Sequence, residues 1–130
     1  MEMSVVTIAM LAALQLKHFL ADYVLQPAWM LNGKDDLRRA GGYAHAGVHA
    51  VSSLPALAIA GLTASDMAVL ATAEFLVHYA IDFAKAALSH RSMAGPDTRT
   101  YWTLHGADQL MHQMTYAGLI IAAQLITIRA

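Results

Sequence analysis

Six of the seven histidines in this 130-residue chain lie three or four positions from another histidine or an aspartate, within stretches that are otherwise apolar. Side chains at that spacing share one face of an α-helix, so each group forms a polar stripe that points in one direction. The four stripes are His18-x3-Asp22-x3-Gln26, His45-x3-His49, Glu74-x3-His78-x3-Asp82-x2-Lys85 and His105-x2-Asp108-Gln109-x2-His112. Together they predict a polar, metal-binding centre built between helices.

Four apolar blocks carry these stripes, and each is close to the ~20 residues with which a helix crosses a bilayer. The blocks run over residues 5–26, 43–62, 65–89 and 101–128. Helix-breaking residues separate them, namely Pro27, Gly41, Gly42, Gly61, Gly95 and Pro96. No stretch shows the sustained period-two alternation of a strand. We therefore predict one all-α domain over residues 1–130, a four-helix transmembrane up-down bundle with a polar His/Asp centre.

The low charge content favours a membrane as the surroundings of this bundle. Charged residues make up 13% of the chain, about half of the roughly 25% that is usual in soluble domains. Residues 54–62 and 117–123 have no polar face, whereas a surface helix of a soluble bundle carries a charged stripe. We predict an integral membrane protein, and the alternative is a soluble bundle that oligomerises strongly.

Composition also excludes several classes of function. The net charge of −1 gives no electrostatic basis for a nucleic-acid partner. The absence of cysteine excludes disulfides and thiolate metal sites. Because Glu2 stands where a signal peptide has basic residues, we expect the first apolar block to be retained rather than cleaved.

The loops predict an orientation in the membrane. Lys34, Arg38 and Arg39 lie in the first loop, and Arg91 and Arg99 lie in the third. The opposite side carries a single arginine near the C-terminus. The positive-inside rule then places loops one and three in the cytoplasm and both termini outside.

All four stripes are expected at the same end of the bundle. The first and third lie towards the ends of their helices, whereas the second and fourth lie near the starts of theirs. At ~1.5 Å per residue, they fall within roughly 3–16 Å of that end. A random scatter of polar residues would not share one depth, so the stripes predict a site in the cytoplasmic half of the bundle.

Neutral imidazoles and carboxylates are suitable ligands for a divalent metal ion; zinc is favoured, with iron and manganese as alternatives. The predicted metal ligands are His18, Asp22, His45, His49, His78, Asp82, Asp108 and His112. Four further residues are predicted to support the ligands by hydrogen bonds, namely Gln26, Gln109, Glu74 and His105. The alternative is a hydrogen-bonded structural network, and His90 is expected to be an ordinary solvated loop residue.

The ordered motifs resemble those of a bacterial and phage family called domain of unknown function 3307. They are the stretch from His18 to Gln26, His45-x3-His49, the stretch from His78 to Lys85, and Asp108-Gln109-x2-His112. The resemblance covers most of the chain, and it does not include His105. It implies a small multi-helix membrane protein of bacterial or phage origin, and it implies no reaction. We expect the chain in the bacterial cytoplasmic (inner) membrane.

Two classes of function follow from the predicted centre. The first is a metal-dependent hydrolase that acts on a lipid or lipid-linked substrate, with Asp82 or Asp108 as general base and Lys85 holding an anionic group. The second is a non-enzymatic metal-binding, ion-conducting or structural membrane subunit. A complete ion path is disfavoured because the outer halves of the helices are nearly all apolar. The expected partner is membrane lipid, with a homo-oligomer left open and no nucleic acid.

Overall fold

The computed structural model describes residues 2–129, and within that range every regular element is an α-helix. The helices are α1 (Met3–Tyr23), α2 (Ala28–Leu31), α3 (Ala40–Ile59), α4 (Ala64–Ser92) and α5 (Arg99–Arg129). The all-α prediction is confirmed. The predicted count of four is corrected to five, because the four-residue helix α2 lies in the first loop.

The first loop begins earlier than the sequence pattern predicted. Helix α1 ends at Tyr23, whereas the apolar block continues to Gln26. Pro27 disfavours helical backbone at the residue before it, which ends the helix. The same proline, with φ −70°, stands immediately before the single turn of α2. Gln26 therefore belongs to the loop rather than to the face of α1.

The four long helices form a closed bundle in which neighbours run in opposite directions. Helix α1 packs against α3 and α5, and α4 packs against the other sides of α3 and α5. The connection between α3 and α4 is short because Gly61 takes a left-handed φ of 73° after α3, and Thr63 then caps α4 by accepting a hydrogen bond from the Asp66 amide at 3.2 Å. The ends of α1, α3, α4 and α5 that carry the polar stripes consequently meet at one end of the bundle.

The bundle interior is divided into an apolar half and a polar half. The apolar half lies towards the chain termini and is formed by Met10, Leu14, Ala56, Leu57, Leu70, Tyr116, Leu119, Ile120 and Ala123. The buried polar and charged side chains are Lys17, His18, His45, His49, Ser53, Glu74, His78, Asp82, Asp108 and His112, and most of them lie in the polar half. The apolar half therefore borders the polar centre on the side of the chain termini.

The outer surface of the bundle is markedly apolar. Large hydrophobic side chains on all four long helices are more than half exposed, among them Leu16, Phe19, Val51, Val69, Leu76, Met114 and Ile121. Two helices, α1 and α4, are long and apolar enough to cross a membrane by length and composition. Length and composition thus support two of the four predicted transmembrane spans.

Candidate metal centre

Eight side chains from the four long helices meet in the polar half of the bundle. Helix α1 supplies His18 and Asp22, α3 supplies His45 and His49, α4 supplies His78 and Asp82, and α5 supplies Asp108 and His112. The imidazoles are at most 6% exposed. The structure therefore brings together all eight residues that the sequence predicted as metal ligands.

Asp22 faces three imidazoles from two helices. Its Oδ2 lies 3.2 Å from His18 Nε2. Its Oδ1 lies 2.9 Å from His49 Nε2 and 3.2 Å from His45 Nε2. The carboxylate thus joins α1 to α3 through Oδ1, while Oδ2 contacts a histidine of its own helix.

Asp82 occupies the corresponding position on the other side of the centre. Its Oδ1 lies 3.3 Å from His112 Nε2. Its Oδ2 lies 3.6 Å from both His78 Nε2 and His45 Nε2. Asp108 adds a second carboxylate here, with Oδ1 3.4 Å from His112 Nε2. Two aspartates therefore surround the His112 ring on this side.

The donor atoms are close enough to share metal ions. Within each of three groups, one ligand atom per residue lies within 4.8 Å of the others: His18–Asp22–His49, His45–His49–His78 and His78–Asp82–His112. Zinc bonds to nitrogen and oxygen donors measure about 2.0–2.2 Å, so atoms at this separation could hold one ion between them.

Two ligand atoms in the centre are unsatisfied. Among the residues that the structure describes, His78 Nε2 and Asp108 Oδ1 are buried polar atoms with no hydrogen-bond partner. Buried polar groups in proteins are nearly always hydrogen-bonded or bound to water or an ion. Both atoms belong to the α4–α5 side of the centre and are available there to bind a cation or to accept a proton.

A layer of hydrogen bonds holds the imidazoles from the apolar side. Lys17 Nζ lies 3.2 Å from His49 Nδ1 and forms a buried ion pair with Glu74. The Tyr116 hydroxyl lies 2.7 Å from His18 Nδ1. Glu74, predicted as a supporting residue, thus acts on the ligands through Lys17. Tyr116 was not predicted, although its position four residues after His112 places it on the same face of α5.

The two predicted supporting glutamines also lie beside the ligands. Gln109 Nε2 donates to Asp108 Oδ2 at 3.1 Å, and its Oε1 lies 3.1 Å from His18 Nε2. Gln26 Oε1 accepts from Lys34 Nζ at 2.7 Å when the amide is oriented to match its donors. His105, by contrast, lies further out, where it lines a cavity and packs edge-on against Trp102.

A cavity of about 300 Å³ leads to the centre from the end of the bundle that carries loops one and three. Its lining includes Asp22, Gln26, Lys34, His45, Lys85 and Asp108. Lys34 Nζ donates to Asp82 Oδ2 at 2.6 Å, and Lys85 Nζ donates to Asp108 Oδ2 at 3.2 Å. Two ammonium groups therefore flank the approach. The sequence pattern did not identify Lys34, because it lies in a loop and belongs to no helical stripe.

An apolar groove of about 430 Å³ lies between α4 and α5, beside this cavity. Its walls include Val77, Ile81, Ala84, Leu88, Leu104 and Met111. Lys85 and Asp108 line both the groove and the polar cavity. The two spaces consequently adjoin at the point where an ammonium and a carboxylate face each other.

The comparison with known proteins gives a family and no function. No curated protein and no solved structure matches the chain. The family model described as "Protein of unknown function (DUF3307)" matches residues 10–129, nearly the whole length, which confirms the resemblance found from the motifs. The chain therefore belongs to the DUF3307 family of proteins of unknown function.

Proposed function

We propose that this chain is an integral membrane protein that uses a divalent-metal centre to hydrolyse a phosphate ester of a lipid or a lipid-linked compound. The observation that carries this proposal is the composition of the buried centre. Five imidazoles and three carboxylates from four helices converge at the base of a cavity flanked by Lys34 and Lys85.

The membrane location is supported by the distribution of polar and apolar side chains. Titratable groups are gathered inside the bundle, and large hydrophobic side chains such as Leu16, Val51 and Ile121 are exposed outside it. Soluble monomers rarely expose contiguous apolar surface on this scale. In a bilayer, ionisable side chains face the bundle interior and are partnered or functional. The proposed arrangement is four transmembrane spans in the bacterial cytoplasmic membrane, with loops one and three in the cytoplasm.

The metal is proposed because the donors match a divalent ion of borderline hardness. Imidazole nitrogens and carboxylate oxygens suit zinc first, with iron or manganese as alternatives. When bound with an open coordination position, such an ion lowers the pKa of bound water to about 7 and polarises a phosphoryl oxygen. Asp82 faces three imidazoles and is best placed as a ligand. Asp108 Oδ1 has no hydrogen-bond partner among the described residues, so Asp108 is the stronger candidate for proton acceptor.

The substrate class follows from the two adjoining spaces. A lipid phosphate would place its anionic group in the polar cavity near Lys34 and Lys85 and its hydrocarbon chain in the groove between α4 and α5. In the reaction, the oxygen of water bonds to phosphorus, and the bond from phosphorus to the lipid alcohol oxygen breaks. One proton from water ends on that alcohol. The cavity opens at the end that carries loops one and three, where headgroups of the cytoplasmic leaflet would lie.

A non-enzymatic role is the second candidate, and the lysine pairs are the observation that favours it. Lys34 pairs with Asp82, and Lys85 pairs with Asp108. In this role each ammonium only neutralises a buried carboxylate, and the centre stabilises the packing of the helices without binding a substrate. The two candidate functions predict different effects of replacing Lys85.

The test is to measure metal content, melting temperature and hydrolysis together on detergent-purified wild type, Lys85→Met and Gln109→Ala. A panel of phospholipids and polyprenyl phosphates serves as substrates. The control is His90→Ala, because His90 is exposed and lies beside Asp35, away from the centre. For Lys85→Met we expect unchanged metal content and melting temperature, and at least a tenfold loss of hydrolysis. A destabilised Lys85→Met, together with no hydrolysis by wild type across the panel, would establish the structural role instead.

A further inference from the structure

Two of the three donor groups share no residue, and the third, His45–His49–His78, takes one histidine from each of them. The α1–α3 triad consists of His18, Asp22 and His49, and the α4–α5 triad consists of His78, Asp82 and His112. Within each triad the ligand atoms lie within 4.8 Å of one another. Each triad thus resembles half of a larger site, with two imidazoles and one carboxylate from a pair of adjacent helices.

One ion cannot use all of these donors. Zinc sites in proteins take four ligands, and octahedral sites of manganese or iron take six. With Asp108 kept as proton acceptor, five imidazoles together with Asp22 and Asp82 make seven protein ligands, before any position is left open for water or substrate. A single ion would therefore leave several of these buried side chains paired only with one another or with a lysine.

The two triads are adjacent and are linked by His45. His45 Nε2 lies 3.2 Å from Asp22 Oδ1 and 3.6 Å from Asp82 Oδ2. The rings of His49 and His78, one from each triad, stack with centroids 3.8 Å apart. Enzymes with two catalytic metals place them about 3.5–4 Å apart, and triads that touch through these rings could hold two ions as neighbours.

One donor atom of the α4–α5 triad has no hydrogen-bond partner within residues 2–129. His78 is 1% exposed, and its Nε2 has no hydrogen-bond partner among the described residues. An ion held only by the α1–α3 triad would leave this nitrogen without a partner, which favours a second ion in the α4–α5 triad.

We infer that the centre holds two divalent ions, one in the α1–α3 triad and one in the α4–α5 triad, with His45 between them. This inference rests on the proposed metal centre and makes it binuclear. Two divalent ions bring more positive charge than three aspartates neutralise, which attracts a dianionic phosphate to the cavity. Paired metals also stabilise both the attacking and the leaving oxygen of a phosphoryl transfer.

The inference is tested by counting metal ions in each half of the site. Detergent-purified protein is equilibrated with zinc, freed of excess ion and analysed for zinc per chain. Wild type and the control His90→Ala should hold two. His18→Gln and His112→Gln, each altering one triad, should hold about one, and the double variant should fall at least tenfold below wild type.

A second measurement on wild type keeps the inference testable if a variant fails to fold. Protein loaded with Mn²⁺ should give an electron paramagnetic resonance spectrum of two coupled ions, because the ions lie within a few ångströms. One zinc per wild-type chain with an uncoupled Mn²⁺ spectrum would overturn the binuclear inference and leave the proposed metal centre intact. No bound metal at all would overturn both.

Discussion

At the scale of single residues, the ion pair between Lys17 and Glu74 supports the His49 imidazole from the side of the apolar core. Glu74 lies one helical turn from His78, on the side of the apolar core, and is 1% exposed. Lys17 Nζ reaches both Nδ1 and the carbonyl oxygen of His49, at 3.2 and 3.3 Å. Because an ammonium can only donate, Nδ1 accepts from Lys17, and Nε2 of the same neutral ring carries the hydrogen that faces Asp22. The pair therefore fixes the orientation of the His49 ring and its hydrogen bond to Asp22.

Removing one partner of this pair should cost more stability than removing both. Lys17→Met leaves the Glu74 carboxylate buried without a counter-charge, a change that costs about 3–5 kcal/mol in comparable buried pairs. The double variant Lys17→Met/Glu74→Gln should recover at least half of that loss. Thermal or denaturant unfolding in detergent measures both. If the double variant is no more stable than Lys17→Met, the pair does not act as a unit.

At the scale of elements, loop one is held against the start of α3 by a close backbone approach. A Cβ atom on Gly41 would lie 2.6 Å from the Trp29 carbonyl oxygen and 3.0 Å from Met30 Cα. Only glycine allows α2 to pack this closely on α3. The contact matters for the centre because Lys34, which follows α2 in the chain, pairs with Asp82.

Gly41→Ala should therefore displace loop one and destabilise the protein, by about 1–3 kcal/mol on the scale of overpacked cores. Gly106→Ala on α5 is the matched control, since a Cβ there meets no atom within 4 Å. Alanine also favours helix over glycine, so Gly106→Ala should leave stability equal or higher. Unfolding experiments on both variants in one detergent make the comparison. An unaffected Gly41→Ala would show that loop one packs less closely.

The groove between α4 and α5 gives a second prediction at this scale. Ala84→Trp should fill the groove and reduce hydrolysis of long-chain lipid phosphates at least tenfold, while a water-soluble short-chain phosphate ester is turned over as by wild type. Ala71→Trp is the control, because Ala71 lies on the same helix but lines the separate groove between α3 and α4. Equal losses in the two variants, or equal losses on both substrates, would contradict the proposed position of the lipid chain.

The sequence predicted the helices better than it predicted the loops. Apolar blocks and Pro or Gly breakers identify the four long helices, because periodicity over 20 residues is a strong signal. Helix α2 was missed because four residues are too few to show a period. The spacing of three or four residues within each helix correctly predicted that the eight ligand-type side chains would meet. Lys34 was missed because it contacts Asp82 from a loop, and hydrophobic periodicity does not predict the path of a loop. His105 shares the face of His112 seven residues away, but it lies two turns further out and lines the cavity instead.

At the scale of the whole molecule, ionisable side chains are buried in one half of the interior, while large apolar side chains are exposed on the outer surface. Lys17, Glu74, Asp82, Asp108 and five histidines are buried, whereas many leucine, isoleucine and valine side chains are exposed. The polar half of the interior lies at the end that carries the basic loops. Both features agree with a bundle whose centre is reached from the cytoplasmic face of a membrane.

The orientation can be tested with single cysteines, because the natural chain has none. Arg38→Cys and Ser92→Cys, in loops one and three or at their edges, should be protected from an impermeant thiol reagent in intact bacterial cells. Glu2→Cys and Ser65→Cys, at the opposite end, should react. Permeabilised cells provide the control in which all four react. The reverse pattern in intact cells would invert the proposed topology.

The central claim, that the buried polar centre is a metal site, is tested most directly by metal content combined with chelation. Protein purified from membranes without added metal should contain a divalent metal in at least stoichiometric amount. Because an ion bound only to the folded state stabilises it, removal by a chelator should lower the melting temperature, and return of the ion should restore it. Protein that carries no metal, and whose melting temperature does not respond to chelator, would contradict the account and identify the centre as a hydrogen-bonded network.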